Sequence, residues 1–115
     1  MAAPLAHFEI MSENPDRMQA FYGKVFDWSF DNCSMPGYTL IQTGAAPAGG
    51  LMKRPPQAPE SRLNAYFQVQ SIDETAKKVE RAGGRVVVPK THIPNVGSYA
   101  FFTDPEGVIV GIFEK

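Results

Sequence analysis

The feature that most constrains this chain is a pattern that it uses twice. His7-Phe8-Glu9-Ile10-Met11 alternates polar and apolar residues, as a strand with one buried face does. Asn14-Pro15-Asp16 then offers a helix N-cap, a proline suited to the first turn and an acid at the positive end of the helix dipole. Met18, Phe21, Tyr22, Val25 and Phe26 follow at helical spacing and make one apolar stripe. The same order returns in the second half. Leu63 to Val69 alternates, Ser71-Ile72-Asp73-Glu74 is a capping box, and Ile72, Ala76, Val79 and Ala82 lead to a Gly83-Gly84 helix stop. His7 and Asn64, equivalent in this register, are 57 positions apart, as are Glu9 and Tyr66, and Met11 and Gln68; matching Phe8 to Phe67 instead changes the register by two and leaves the faces unchanged.

Each helix is followed by three strand-like segments. In the first half these are Asp27–Asp31, Tyr38–Thr43 and Ala48–Lys53, with Pro36-Gly37 as a turn. In the second they are Arg85–Pro89, Ser98–Thr103 and Val108–Phe113; Thr91–Gly97 reads as a loop and Asp104-Pro105-Glu106-Gly107 as a tight turn. The expected fold class is therefore α+β, with two tandem βαβββ modules forming a cupped, barrel-like mixed sheet and the helices outside. Module one runs over about 4–54 and module two over about 63–115. Residues 55–62 form a proline-rich, stiff connector, the whole being one domain. Packing Phe8 and Ile10 under the first helix leaves His7, Glu9 and Met11 on the opposite face, with Asn64, Tyr66 and Gln68 as their equivalents. Together these six line the expected cup, a concave surface of mixed polarity suited to a small molecule.

Composition narrows the partners. A net charge of −1 with eleven scattered Lys and Arg gives no footprint for nucleic acid. No apolar run reaches membrane-spanning length, and the first residues lack the basic and apolar regions of a signal peptide. The lone Cys33 excludes a disulfide frame and a thiolate metal cage. A cytoplasmic setting is the expectation.

His-Phe-Glu-Ile at 7–10, Phe21-Tyr22 with Val25-Phe26-Asp27-Trp28, Ala82-Gly83-Gly84, and Asp104-Pro105-Glu106-Gly107 before the last strand resemble the vicinal oxygen chelate superfamily. That superfamily includes glyoxalase I, extradiol dioxygenases, epimerases and the fosfomycin- and bleomycin-resistance proteins. The resemblance covers nearly the whole chain and is closest to small glyoxalase-related members with Gly-Gly-Leu-Met in the first module. It implies metal-ligand positions on the first and last strands of each module, here His7, about Gly50, Asn64 and Gly111. Only His7 matches. Two glycines and an asparagine do not supply the three or more donors that a first-row metal needs, so no metal site and no cofactor are expected.

The residues leave several functions open. The first is a small-molecule-binding protein of the glyoxalase/bleomycin-resistance type. It is either a metal-independent lyase or isomerase with His7 and Glu9 as acid and base, or a protein that only binds its ligand through Met11, Asn64, Tyr66 and Gln68. The second is a metal-dependent lyase or dioxygenase with a divalent metal held elsewhere, with Glu9 and His92 as further candidates. The third is a non-catalytic accessory module. Exposed sheet edges and the pairing of modules between chains that the resemblance implies point to a homodimer.

Overall fold

The computed structural model describes residues 2–56 and 62–115. The elements are β1 (Leu5–Ser12), α1 (Pro15–Phe26), β2 (Ser29–Met35), β3 (Tyr38–Gln42), β4 (Gly49–Lys53), β5 (Arg62–Gln68), α2 (Ile72–Arg81), β6 (Arg85–Ile93), β7 (Gly97–Thr103) and β8 (Ile109–Glu114). The order is βαβββ twice, and the chain has the α+β class that its repeat dictates. It divides into two compact units, His7–Leu63 and Asn64–Lys115, the latter taking in the residues before His7. The Gln68 N–H donates to the Pro4 carbonyl at 2.8 Å, which ties that N-terminal segment to β5. Of the proline-rich connector, residues 57–61 lie outside the described residues. No described helix is long and apolar enough to cross a membrane.

In the His7–Leu63 unit the strand order is β2-β3-β4-β1. β3 runs antiparallel to both β2 and β4, and β1 lies parallel to β4 with Phe8 opposite Gly49 and Glu9 opposite Gly50. A parallel neighbour needs a long crossover, and α1 with the β2–β3 hairpin supplies it. Asn14 caps α1 as expected, its side chain accepting from the Arg17 N–H at 3.2 Å. The far end closes on Asp27, left-handed at φ 55°, whose N–H returns to the Gly23 carbonyl. Ile41 and Leu51 are the fully buried side chains here.

α1 departs from the expected packing. None of its residues is buried. Phe21 is 52%, Val25 52% and Phe26 55% exposed, so only part of the apolar stripe meets protein. The inward face is turned toward Met18, Gln19, Tyr22 and Gly23, all half-buried. Trp28 takes up the space between helix and strand. Its ring lies 5.3 Å from Tyr22 and 5.7 Å from Phe8. Phe26 is a further ring neighbour of Trp28, at 5.0 Å, yet it stays more than half exposed, as do Phe21 and Val25.

In the Asn64–Lys115 unit the order is β5-β8-β7-β6 with the same senses, β5 being parallel to β8 and Tyr66 opposite Gly111. Ile72, Ala100 and Ile112 form the core, with Val69 and Phe102 packed against it. The Ser71 hydroxyl accepts from the Glu74 N–H at 3.1 Å, and Glu114 accepts from the Ile72 N–H at 2.7 Å. The last strand thereby caps the helix. Backbone hydrogen bonds to Asp104 and the positive φ of Gly107 close the expected 104–107 turn. β6 is longer than expected. It continues past Pro89 to Ile93 and pairs with β7 across two register shifts, so the segment expected as a loop is mostly strand. The shifts, around residues 87–90, let the strand pass the proline, which cannot donate to the ladder.

Candidate functional site

β4 lies between β3 and β1, and where β1 carries Glu9 its partner on β4 is Gly50. With no side chain at position 50, the Tyr38 ring crosses β4 and sets its hydroxyl between the two polar residues of β1. The hydroxyl lies 2.8 Å from His7 Nε2 and donates to Glu9 Oε2 at 2.9 Å. The His7 and Tyr38 rings are stacked at 6.3 Å with 23° between planes. A Cβ built on Gly50 would overlap the Tyr38 hydroxyl and ring, so this crossing requires glycine there. Glu9 is buried while Phe8 and Ile10 of the same strand are only half-buried.

Burial and charge set the ionisation of this group. Burial holds the His7 imidazole below its ordinary value; the Glu9 charge and a hydrogen bond to the Ala48 backbone oppose that without reversing it. Burial, the Glu9 charge and the bond to Glu9 all push the Tyr38 phenol upward, so it stays protonated and acts as a donor. An open groove with Ser29, Gln42, Gly44 and Ala48 among its walls reaches the same backbone that His7 touches.

Module two does not repeat this chemistry. Asn64 and Tyr66 are buried at the positions equivalent to His7 and Glu9. The shared pairing of Glu9 and Tyr66 with a last-strand glycine confirms the register of 57. The Tyr66 ring lies 5.2 Å from Phe101, and Phe101 lies 5.9 Å from Tyr99, the counterpart of Tyr38. A Cβ at Gly111 would sit 2.7 Å from the Tyr66 ring. One module thus carries an acid–base cluster and the other an aromatic one. Met11, on β1 opposite Met52, and Gln68, at the end of β5, are both half-buried.

The structure brings His7 and Glu9 together, but through a residue that sequence reading assigned only to a strand. The signal for Tyr38 was the pairing of a polar-faced first strand with a glycine on the last. An empty position beside buried polar groups must be filled from a neighbouring strand. His92 sits on β6, exposed, with Nδ1 3.4 Å from the Ser98 hydroxyl. Cys33 is exposed. The positions that the superfamily's metal enzymes use do not fit a metal in this chain: tyrosine rings occupy the directions that side chains at 50 and 111 would take. Among the described residues no three His, Cys, Asp or Glu side chains converge as a metal-binding group.

Comparison with known proteins settles the family. The model of the Glyoxalase/Bleomycin resistance protein/Dioxygenase superfamily matches residues 5–112. The chain belongs to this superfamily. It is 31% identical over 109 residues to the Mycobacterium tuberculosis protein named "Putative glyoxylase CFP32", covering 92% of this chain and 42% of that one. It is 24% identical over 127 residues to the anthracycline biosynthesis protein DnrV of Streptomyces peucetius, covering 96% of this chain and 46% of the relative. The chain thus spans less than half the length of these relatives. Among solved structures, methylmalonyl-CoA epimerase from Mycobacterium tuberculosis superposes with a TM-score of 0.71 at 17% identity, over 96% of this chain and 87% of the other. A hypothetical protein from Bacillus halodurans, BH1468, gives 0.73 at 15% identity, over 100% and 96%. At these identities the structural likeness speaks for the fold alone.

Proposed function

We propose that this superfamily member binds a small molecule and acts on it as a metal-independent isomerase or lyase, with His7 and Glu9 as the acid–base pair. The observation that carries this reading is the Tyr38 hydroxyl held between His7 Nε2 and Glu9 Oε2 at 2.8 and 2.9 Å. A lowered imidazole is a base at neutral pH, and a carboxylate beside it is a second proton acceptor. Two groups able to exchange a proton suit a reaction that removes one from carbon and returns one. Met11, two residues beyond Glu9 on β1, is the proposed ligand-binding residue of the same unit; Asn64, Tyr66 and Gln68 are the proposed ligand-binding residues of the other unit taken by itself. No cofactor enters the scheme. That epimerases share this fold is in keeping with such chemistry, though it does not assign the substrate.

The test is exchange of a carbon-bound hydrogen. The protein is incubated in D₂O with a panel of small 2-oxo aldehydes, 2-hydroxy ketones and acyl-CoA thioesters, and deuterium incorporation is followed by NMR. Enzyme-dependent exchange is expected for one class, unchanged after chelator treatment. It should fall about 10²–10⁴-fold in His7→Ala and in Glu9→Gln, the range typical of losing a general acid or base. Saturable binding without exchange would establish a binding protein and sink the catalytic reading. Exchange that needs an added divalent metal would sink the metal-independent one.

A further inference from the structure

We propose that Tyr38 relays a proton between Glu9 and His7, so that the three side chains hold one mobile proton in common. A phenol has one proton to give, and here it has two neighbours within hydrogen-bond distance, His7 Nε2 at 2.8 Å and Glu9 Oε2 at 2.9 Å. With Nε2 on Tyr38, Nδ1 is left for the Ala48 backbone, in a bond that favours the protonated ring. Two arrangements satisfy every contact with the same number of protons. In the first, His7 is an imidazolium donating from both nitrogens, Tyr38 accepts from Nε2–H and donates to the Glu9 carboxylate. In the second, His7 is neutral with Nδ1–H kept on Ala48, Tyr38 donates to Nε2, and protonated Glu9 donates to the Tyr38 oxygen.

The passage from first to second is a balanced double transfer. The N–H bond at His7 Nε2 breaks as an O–H bond forms on Tyr38. The original Tyr38 O–H breaks as an O–H bond forms on Glu9 Oε2. One positive and one negative charge vanish together, and the phenol ends as it began. Burial favours the uncharged arrangement, and attraction between opposite charges favours the other. Both arrangements use the same contacts, and Gly50 fixes the geometry by leaving the path across β4 open. Tyr38 is on this view a positioning residue: it lets acid and base exchange roles without solvent. The inference deepens the acid–base reading and rests on it for its meaning in catalysis.

The test needs no substrate, so its failure is separable from failure of the proposed reaction. The ring nitrogens of His7 and the side-chain carboxyl of Glu9 are observed by ¹⁵N and ¹³C NMR in the ligand-free protein as the pH is lowered below the imidazole range, where the cluster takes up the one proton that it shares. A shared proton gives Nε2 and carboxyl shifts that are both averaged between their protonated and bare values. Tyr38→Phe should send both to end values while the amide spectrum stays that of a folded protein. Placing 3,5-difluorotyrosine at position 38 keeps the shape, acidifies the phenol and should move both averaged shifts. End values in the unsubstituted protein, or averaged shifts that neither change alters, would overturn the proposal.

Discussion

A methyl group at position 50 would occupy the place of the Tyr38 phenol. Gly50→Ala is therefore expected to lower stability by about 1–3 kcal/mol, the usual cost of overpacking. Most of that cost should disappear in a Tyr38→Ala background, where nothing crosses β4. Urea unfolding of the two single variants and the double variant measures the coupling; equal costs of Gly50→Ala in both backgrounds would contradict the crossing. His7 gives a second residue-scale prediction. Its folded value lies below the ordinary 6.5, so between the two values the unfolded chain binds a proton that the folded chain refuses. Stability contributed by neutral His7 is complete above about pH 6.5 and declines as pH falls from there toward the lowered value. His7→Asn should flatten the fall of the urea midpoint between pH 7 and 5; the same slope in both proteins would show that His7 is not the titrating group. At this scale the sequence was only half legible. Strand alternation placed His7 and Glu9 on one face, because side-chain parity follows from local geometry. Tyr38 was hidden, because its role depends on a glycine twelve residues away and on β4 lying between β3 and β1.

At the scale of elements, the helix ends were the most readable features, since capping chemistry is local. Gly83, at φ 100°, is the left-handed residue after α2, and the Gly84 N–H returns to the Val79 carbonyl at 2.9 Å. The nearest atom to a Cβ at Gly83 is a Pro105 carbon 3.7 Å away, so there is room for a side chain and the penalty is one of backbone conformation alone. Gly83→Val should lower stability by about 1–2 kcal/mol with an unchanged denaturant slope. A midpoint equal to that of the parent protein would place the helix end elsewhere. Strand ends were less legible. β6 runs on to Ile93 because cross-strand pairing with β7 outweighs the turn signals of Pro89 and His92-Ile93-Pro94. α1 was legible as a helix but not in its orientation. The period of its apolar residues is correct, yet Met18 and Tyr22 are half-buried while Phe21, Val25 and Phe26 stay exposed.

For the whole molecule, the repeat was the durable signal: a period shared by caps, strands and glycines survives errors at any one boundary. What it could not convey is which apolar face stays open. Phe21, Val25 and Phe26 on α1 are each more than half exposed, and no residue of that helix is buried. Scattered single apolar residues are ordinary on a surface, but Phe21 and Val25 lie one turn apart on the same side of the helix and make a continuous patch. A stable pair of proteins covers about 800 Å² on each partner, more than three side chains supply, so such an interface must extend beyond α1. A second copy of this chain is the proposed occupant, since a two-fold axis sets the same apolar patch against itself. Sedimentation at micromolar concentration is expected to show a homodimer. Phe21→Glu combined with Val25→Lys, both at exposed positions, should shift it to monomer without lowering the unfolding midpoint measured at high dilution. A parent protein that sediments as a monomer at high micromolar concentration would refute the dimer. A dimer untouched by the double substitution would place the interface away from α1.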